Sequence, residues 1–524
     1  MPILGAIVFI IYTVALGYIT IYCLFQFNLL YHYKRGHAKD AANASALTAA
    51  QNKIESRKMV MAGEDQIETE SAEAGDFDYP FVTVQLPIFN EMYVVERLID
   101  TVAEFDYPHD RLEIQVLDDS TDETVEITRN KVNEYKAKGL DIVHITRSDR
   151  KGFKAGALKA ATQVAKGEFI AIFDADFLPK TDFLKTTIPY FDDEKVGVVQ
   201  TRWEHINGNY SLITRLQALQ LNVHFTVEQK GRMVGEHMLQ FNGTAGVWRR
   251  KAIEDAGGWE ADTLTEDLDL SIRAQLRGWK IHFLEEVVSP AELPVEMNSL
   301  KSQQFRWMKG GAETAKKMLP TIWRSSMPFP EKIHTTVHLL ASSIFVFVFI
   351  IGVFSVPLLY FLGDIFNAGI SKNFFGIFLA GFLSVIAVYY VANVQADVHK
   401  GISPLKQIVN FVLLFPLFLS LSMGLSLHNS IAVIQGFMGK KSPFVRTPKF
   451  NIKDIADTVK SKKYVNAKLS WTTVFEGLLA LYFLGAMILG LYLQNTTFFF
   501  FHLMLFIGYG GIFFFTVKHL RVAG

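Results

Sequence analysis

The stretch EFIAIFDAD, residues 168–176, decides the fold of this chain. Residues 168–173 predict a short buried strand, because apolar side chains follow one another almost without a break. The strand runs straight into Asp174 and Asp176, whose side chains point the same way from an extended backbone. Two carboxylates in this arrangement suit a hard cation such as Mg²⁺ or Mn²⁺ that bridges to phosphates. A surface turn is the alternative explanation for one such motif.

The same alternation of strand and helix extends back to Pro80. Strands are predicted at 81–88, 112–117, 141–146 and 168–173, and helices at 91–104, 122–138 and 153–165. Elements of these lengths in this order predict a mostly parallel sheet with helices on both faces. In such sheets ligands bind beyond the carboxyl ends of the strands. The pairs Asp118-Asp119 and Asp174-Asp176 both follow strand ends, so we expect them at one edge of the sheet.

Two of the acidic clusters have a simpler structural explanation as well. Asp118-Asp119, followed by Ser120, is typical of a turn or a helix N-cap. Thr265-Glu266-Asp267 precedes a predicted helix over 268–276, with Thr265 as its cap. A capping position also holds a carboxylate rigidly, so the two explanations of the second cluster are compatible.

A fourth cluster, QQFRW at 303–307, is predicted to be helical. Gln303, Arg306 and Trp307 then share one face by their i, i+3, i+4 spacing. An amphipathic helix on the bilayer surface, anchored by the tryptophan, explains the same pattern. Arg306 can also hold a phosphate, and Trp307 offers a flat apolar face to a sugar ring. All four clusters together supply the parts needed to move a sugar from a nucleotide diphosphate.

Composition indicates a membrane protein and excludes other classes. The 524 residues are 50% hydrophobic, and the formal net charge is zero. Nucleic-acid-binding proteins usually carry a basic footprint, so no nucleic-acid partner is expected. Cys23 is the single cysteine, which rules out a disulfide framework. A chain much longer than ~300 residues normally divides into domains.

Uncharged runs predict where the chain meets the membrane. Residues 1–33 exceed the ~20 residues that a spanning helix needs, and they lack the basic start and short core of a cleaved signal peptide. Further runs of spanning length lie at 339–363, 374–396 and 477–517, the last long enough for two crossings. Basic residues follow the first and last runs, which places the N-terminus outside and the large polar region and C-terminus in the cytosol.

One apolar segment, 407–439, does not fit a simple count of crossings. It is preceded by Lys400 and Lys406 and followed by residues 440–468, which carry nine Lys/Arg against two Asp, so both flanks are predicted to be cytosolic. The segment therefore lies along the interface, dips in and out, or crosses twice with a turn near Met423-Gly424. Residues 41–50 are small and polar, and residues 64–78 carry seven acids and no base, which is typical of a mobile linker.

With these motifs the chain resembles the membrane-embedded family 2 glycosyltransferases of the cellulose synthase superfamily. The resemblance is closest to cellulose synthase-like family A, the β-mannan and glucomannan synthases. It is carried by LPIFNE (86–91), QVLDDSTD (115–122), KAGAL (154–158), FDADF (173–177), HFTVEQ (224–229), FNGTAGVWR (241–249) and EDLDL (266–270). It continues more weakly in FVRTPK (444–449), which resembles the family's Phe-x-Val-Thr-x-Lys gating loop, with Arg446 where the family usually has Val.

The resemblance implies an α/β fold of the GT-A type, inserted between an N-terminal transmembrane helix and a C-terminal multi-helix transmembrane region. The expected segments are an anchor at 1–33, a cytosolic linker at 34–80, the glycosyltransferase domain at 81–300, interfacial helices at 301–333, transmembrane or interfacial helices at 334–437, a cytosolic gating-type loop at 438–469, a transmembrane hairpin at 470–517 and a cytosolic tail at 518–524. The expected location is the cell membrane, or the Golgi membrane in a eukaryote, with the catalytic domain in the cytosol.

The resemblance also implies a role for each cluster. Asp267 would deprotonate the acceptor hydroxyl in an inverting displacement, and Asp174 and Asp176 would hold Mg²⁺ or Mn²⁺ at the diphosphate. The residues implied to bind the donor nucleotide and diphosphate are Asp118, Asp119, Lys154, Gln303 and Arg306. Those implied to bind the acceptor are Glu266, Trp307, Phe241, Asn242, Gly243, Thr244 and Ala245. The gating loop would contain Phe444, Thr447 and Lys449.

Two active functions are compatible with these residues. The first is a processive synthase that takes UDP-glucose or GDP-mannose, elongates a β-linked polysaccharide and passes it across the membrane. The second is a non-processive transferase that glycosylates a lipid such as diacylglycerol or ceramide. Residues 407–439 and 444–449 favour the first, because a lipid glycosylator has no polymer to gate. An inactive scaffold is disfavoured, because no motif residue is missing. Membrane lipids are expected partners in either case.

Overall fold

A computed structural model of the chain describes residues 3–61, 78–371, 373–396, 403–442, 445–452 and 470–523, without the side chains of 41–61 and 521–523. The first element is one long helix, α1 (Ile3–Met61). It corrects the predicted boundary, because the helix passes through the expected anchor at 1–33 and continues into the expected linker at 34–80. Residues 37–61 contain neither glycine nor proline and are rich in alanine, which favours helix over a loop. The acidic run at 64–77 lies outside the described residues.

A seven-stranded sheet forms the centre of the polar region, in the order β3-β2-β1-β4-β6-β5-β7. The strands are β1 (Val82–Ile88), β2 (Leu112–Asp118), β3 (Ile142–Thr146), β4 (Phe169–Ile172), β5 (Val196–His205), β6 (Gly246–Arg249) and β7 (Lys280–Ala291). Only β6 runs antiparallel to its neighbours, so the prediction of a mostly parallel sheet is confirmed. The four predicted strands correspond to β1, β2, β3 and β4.

Helices cover both faces of the sheet. They are α2 (Val95–Ala103), α3 (Thr124–Ala137), α4 (Phe153–Val164), α5 (Phe183–Thr187), α6 (Leu212–Val223), α7 (Gln229–Val234), α8 (Arg250–Asp255) and α9 (Glu266–Leu276). Successive side chains of β4 alternate between two hydrophobic cores, with Phe169 and Ala171 in one and Ile170 and Ile172 in the other. Burial on both faces explains why this strand reads as an unbroken apolar run.

The chain order reverses at β1, and this reversal creates the site. From β1 the chain first builds β2 and β3 on one side, then crosses over to place β4 on the other side. The parallel strands β1, β2 and β4 therefore end at the same edge, at Ile88, Asp118 and Ile172. A crevice at such a reversal is where open α/β sheets bind ligands.

The second half of the chain is helical. Its helices are α10 (Met297–Arg324), α11 (Phe329–Leu339), α12 (Ile344–Asn367), α13 (Leu379–Tyr390), α14 (Pro404–Gly424), α15 (Ser426–Met438), α16 (Trp471–Tyr492) and α17 (Phe499–Ala523). Six helical segments in the described part of the chain are long and apolar enough to cross a membrane: Ile3–Asp40, Ala341–Asn367, Phe374–Gln395, Pro404–Gly424, Trp471–Tyr492 and Phe499–Leu520. Five of them correspond to the uncharged runs predicted from the sequence.

The sixth segment, α14, contains the ambiguous stretch that starts at 407. Its aromatic face, formed by Phe411, Phe415 and Phe418, packs against Leu216 and Leu219 of α6, a helix of the sheet domain. Helix α14 thus contacts the sheet domain, and it also packs along α17, another apolar helix. The chain turns at residue 425, next to the turn near Met423-Gly424 that the twice-crossing alternative requires, and α15 then packs on α10.

Helix α1 is packed against the sheet domain and the membrane helices at the same time. Leu29, Leu30 and Tyr33 share one hydrophobic core with Val227, which follows α6, and with Val388 of α13. Slightly further along, the Tyr33 hydroxyl donates to Glu285 Oε1 at 3.0 Å, and His37 Nε2 lies 3.0 Å from Oε2 of the same residue. The first helix is therefore attached to β7 by hydrogen bonds as well as by apolar contact.

Candidate active site

A cavity of about 210 Å³ lies at the shared carboxyl edge of β1, β2 and β4. Every one of the four sequence clusters contributes to its lining. The contributing residues are Asp119, Asp174, Ala175, Asp176, Thr265, Glu266, Asp267, Gln303, Arg306 and Trp307. Residues separated by almost two hundred positions therefore meet in one place, as their predicted positions at strand ends and helix starts require.

The two carboxylates of the first pair occupy different positions, one lining the cavity and one behind it. Asp119 lines the cavity and accepts from Arg147 Nε at 3.0 Å. Asp118 is buried behind the wall, where Oδ2 lies 2.9 Å from His144 Nε2 and Oδ1 accepts from the Ser120 N–H at 2.9 Å. Burial alone would raise the pKa of Asp118, but these hydrogen bonds hold it below its usual value. Asp119 is therefore the member of the pair that lines the cavity, and Asp118, predicted to contact the nucleoside, lies behind it.

Each carboxylate of the Asp174-Asp176 pair is bonded to a lysine through one oxygen. Lys154 Nζ lies 2.5 Å from Asp174 Oδ1, and Lys449 Nζ lies 2.6 Å from Asp176 Oδ2. Burial opposes the charge of Lys154, but Asp174 and Glu266 hold its pKa above the usual value. Both aspartates line the cavity. Carboxylate oxygens are the donors that Mg²⁺ or Mn²⁺ prefers, so the two residues fit such an ion, which would compete with the lysines for their charge.

The third cluster begins α9. Thr265 occupies the N-cap position, with its hydroxyl turned towards Thr314 Oγ1 at 3.1 Å. Asp267 Oδ1 accepts from the Leu268 N–H at 2.9 Å, which fixes the carboxylate at the start of the helix. Burial and the neighbouring charge of Glu266 raise the pKa of Asp267 to about 7. A carboxylate with that pKa can take up and release a proton near neutral pH, as a general base must.

The predicted acceptor loop, 241–245, is only partly exposed to the cavity. Asn242 and Gly243 line it, whereas Phe241, Thr244 and Ala245 are fully buried. The backbone of Gly243 has φ +79°, and a Cβ there would lie 3.0 Å from Asp267 Oδ2. The three buried residues, predicted to bind the acceptor, lie behind the cavity wall and support this loop; Thr244 Oγ1, for example, accepts from the Asp174 N–H at 2.8 Å.

The segment 445–452 lies across the cavity. Thr447 Oγ1 accepts from Arg306 at 2.8 Å, and the Arg446 guanidinium lies 2.8 Å from Glu91 Oε2. Phe450 is buried and anchors the segment. Of the predicted gating residues, Thr447 and Lys449 line the cavity, while Phe444 lies outside the described residues.

Several lining residues were not predicted as site residues. The Arg150 guanidinium stacks on the Phe89 ring, 3.2 Å from its centroid, and Glu91 faces Arg446. Phe89 and Glu91 belong to the quoted motif LPIFNE, so a signal was present in the sequence for both. Arg150 stands in a loop whose sequence carries no recognisable pattern. Its contribution depends on the tertiary structure.

A second acidic cluster lies outside the cavity. Glu260, Asp262 and Asp269 surround the ammonium group of Lys317, with Nζ–O distances of 2.6, 2.9 and 3.0 Å. The lysine supplies the positive charge at the centre of this cluster. We therefore assign the cluster to the attachment of α10 to the loop before α9 and not to a metal ion.

The fold and the cavity define a membrane-associated α/β protein whose ligand site lies at the reversal point of its sheet. Residues 80–310 match the family model described as "Glycosyltransferase like family 2". This part of the chain belongs to the family 2 glycosyltransferases, and both the family and the GT-A-like fold predicted from the sequence are confirmed.

Two curated relatives that are similar to this chain are both named as glucomannan 4-beta-mannosyltransferases. Glucomannan 4-beta-mannosyltransferase 1 of Oryza sativa subsp. japonica is 43% identical over 276 residues, which cover 52% of this chain and 53% of the relative. Glucomannan 4-beta-mannosyltransferase 7 of Arabidopsis thaliana is 41% identical over 261 residues, covering 49% and 47%. The chain thus spans about half the length of the curated relatives it matches.

Among solved structures, the mannosyltransferase PcManGT of Pyrobaculum calidifontis, in complex with GDP-Man and Mn²⁺, is 19% identical. The TM-score is 0.47, and the match covers 84% of this chain and 100% of that one. A likeness at this level has no bearing on the residues of the site.

Proposed function

We propose that this protein transfers a hexose from a nucleotide sugar to the growing end of a β-linked polysaccharide and passes the product across the membrane. The observation that carries the proposal is the position of Asp267. Its carboxylate lies in the cavity that also holds Asp174, Asp176 and Trp307, so a base, a diphosphate site and a sugar platform share one space. The names of the curated relatives describe mannosyl transfer, which makes GDP-mannose the first donor to test and UDP-glucose the second.

The proposed reaction is a single displacement at the anomeric carbon. Asp267 takes the proton from the acceptor hydroxyl, the hydroxyl oxygen attacks the anomeric carbon, and the nucleoside diphosphate leaves with the electrons of the broken C–O bond. One attack from the side opposite the leaving group inverts the configuration. The start of α9 supports this role, because a helix N-terminus fixes the carboxylate of Asp267 in place.

Several cationic side chains in this cavity can stabilise the negative charge of the departing diphosphate. Arg306 and Lys154 line it, and Lys449 enters it from the segment 445–452. Asp174 and Asp176 would hold a divalent cation, which supplies further positive charge to the leaving group when bound. Fixed cations directed at a site of developing negative charge lower the barrier, because no reorganisation is needed during the reaction.

Trp307, on the proposed acceptor side of the cavity, stands on a helix that packs against the helices of the second half of the chain. Trp307 projects from α10, and α10 packs on α15. Two turns before the tryptophan, Lys301 Nζ lies 2.8 Å from Glu476 Oε1 of α16, a fully buried carboxylate within an apolar helix. Ionisable residues at such positions are costly and are usually functional. This proximity of the cavity to the apolar helices is what the proposed delivery of a polymer into the membrane region requires.

Purified full-length protein in lipid nanodiscs tests the proposal. Labelled GDP-mannose and UDP-glucose are supplied separately with Mn²⁺, and the products are extracted with organic solvent. We expect a labelled polymer that stays insoluble, that EDTA prevents and that added Mn²⁺ or Mg²⁺ restores. A single labelled sugar on an extractable lipid would replace the polymer function by glycolipid synthesis. Full activity in EDTA would remove the metal from the mechanism.

A further inference from the structure

The motif HFTVEQ, 224–229, has no role in the proposed reaction, yet it reaches the cavity. Its residues His224–Glu228 form one wide π-helical turn between α6 and α7, a form that is rare and is frequent at functional sites. His224 Nδ1 lies 2.9 Å from Glu228 Oε2, and Nε2 of the same ring lies 2.8 Å from Asn242 Oδ1. The histidine thus joins a buried carboxylate to a residue that lines the cavity.

The carboxylate behind the histidine is held in its charged form. Arg232 NH2 lies 3.4 Å from Glu228 Oε2, the oxygen that also faces His224. Burial would raise the pKa of Glu228, but Arg232 and His224 hold it well below the usual value. A permanent charge at this place fixes the orientation of the imidazole ring.

The side-chain amide of Asn242 has its oxygen committed to protein groups. Gln240 Nε2 donates to Asn242 Oδ1 at 3.0 Å, and His224 Nε2 donates to the same oxygen at 2.8 Å when the ring, whose Nδ1 donates to Glu228, carries both protons. The nitrogen of the amide, Nδ2, is buried and has no hydrogen-bond partner in the part of the chain that the structure describes. Asn242 therefore keeps one donor for a group in the cavity, since buried donors are normally paired.

The backbone of the acceptor loop is held independently of this histidine. Gln200, which is fully buried, accepts from the Asn242 N–H at 2.9 Å and donates to the carbonyl oxygens of Thr244 and Ala245 at 3.1 and 3.0 Å. Lys154 Nζ donates to the Gly243 carbonyl at 2.9 Å. Loss of His224 would therefore remove one of the two side-chain contacts of Asn242 Oδ1, leaving the weaker hold of Gln240 alone, and would keep the loop in place.

We propose that His224, oriented by Glu228, is a positioning residue that directs the Asn242 amide towards a hydroxyl group of the acceptor sugar. The inference rests on the proposed function and gives a positioning role to the motif HFTVEQ, which lies outside the reacting groups. Asn242 is adjacent to Gly243, which lies against Asp267, so the amide contacts the acceptor close to the base. His224 consequently affects the binding of the acceptor and not the binding of the donor.

Two substitutions of His224 test the contacts of its two ring nitrogens one at a time. His224→Gln places an amide near the position of Nε2 and retains the contact with Asn242, whereas His224→Asn reaches only to Nδ1 and retains the contact with Glu228. In nanodiscs, initial rates are measured with GDP-mannose and β-1,4-mannohexaose, and in parallel with UDP-glucose and cellohexaose. The matched control is His282→Asn on β7, a histidine that stacks on Tyr190.

We expect His224→Asn to raise the KM for the oligosaccharide about tenfold, the size of one lost hydrogen bond, with the KM for the nucleotide sugar within about twofold of wild type. His224→Gln should restore most of the oligosaccharide KM. In an Asn242→Ala background, His224→Asn should have no further effect, because both changes remove the same contact.

The outcomes distinguish this inference from the proposed function. If wild-type protein transfers sugar but His224→Asn keeps the wild-type KM for the oligosaccharide, the positioning role is wrong and the proposed function stands. Equal increases of both KM values, not restored by glutamine, would show a general structural role and also overturn the inference. If wild-type protein transfers sugar with neither pair of substrates, the proposed function fails, and this inference fails with it.

Discussion

Lys449 Nζ lies 2.6 Å from Asp176 Oδ2, although 273 residues separate the two in the chain. The same ammonium group also donates to the Glu292 carbonyl, so the lysine is held at the cavity by two oxygens. A cation from the segment 445–452 thus occupies one oxygen of the carboxylate pair proposed to hold a metal ion. Closure of this segment and the binding of a divalent cation are therefore expected to influence each other.

Replacing Lys449 by methionine should tighten the binding of Mn²⁺ to the protein without donor. The change removes a positive charge that neutralises Asp176, so we expect the Kd for Mn²⁺ to fall about tenfold, the effect of roughly 1.4 kcal/mol. Asp176→Ala should change the Kd in the opposite direction. Electron paramagnetic resonance of free Mn²⁺ during a titration measures both, and Lys185→Met, at the exposed pair with Asp106, is the control. An unchanged Kd in both cavity variants would place the metal site elsewhere.

The rate of transfer should fall on acidification below neutral pH. Burial and the charge of Glu266 raise the pKa of Asp267 to about 7. A base must be deprotonated to act, so the active fraction is full well above pH 7 and falls about tenfold per pH unit well below it. The measurement is kcat/KM for the acceptor between pH 5 and 9. A profile that stays flat down to pH 5 would show that the base titrates below that range and would contradict a raised pKa of Asp267 in the active enzyme.

Asp267→Asn should leave the binding of the nucleotide sugar nearly intact and lower kcat by a factor on the order of 10² or more. The amide keeps the shape of the side chain but cannot accept the proton of the acceptor hydroxyl. Donor affinity by calorimetry and turnover by product label are measured on the same preparation. Asp193→Asn, at an exposed pair with Lys280, is the matched control. Transfer by Asp267→Asn at a rate near wild type would show that another group is the base.

Trp307→Ala should stop elongation while hydrolysis of the donor continues. The substitution removes the flat apolar face proposed to hold the end of the polymer, and it leaves Asp174 and Asp176 in place. We expect short products and a ratio of hydrolysis to transfer at least about tenfold above wild type. Trp323→Ala, on the same helix but outside the cavity, should retain full-length product. Full-length product from Trp307→Ala would contradict the role of this side chain in processivity.

Local patterns were sufficient to predict the sheet and the position of the cavity. The strands β1, β2 and β4 are short apolar runs that end on polar motifs, and a parallel sheet brings such ends together without further information. The capping position of Thr265 likewise places Asp267 at a helix start. These inferences depend only on periodicity and on residues that are adjacent in the sequence.

Other features depend on contacts between distant parts of the chain. Asp118 and Asp119 are neighbours, and the hydrogen bond to His144 on β3 decides which of them turns away from the cavity. Burial of Phe241 and Thr244 depends in the same way on how the loop packs. The path of α14 was ambiguous because a spanning helix and a helix lying along α6 have the same apolar composition.

Helix α1 gives the molecule a mechanical property. One unbroken helix reaches from the membrane segment to Met61, and Tyr33 and His37 fasten it to Glu285 on the last strand of the sheet. The described part of this helix has no break between the apolar segment and the contacts with the sheet. The sheet domain is therefore expected to keep a fixed position relative to the first helix. In the proposed function, movement of the product by one sugar length would then come from smaller parts, such as the segment 445–452 or the side chains on α10, and not from a rotation of whole domains.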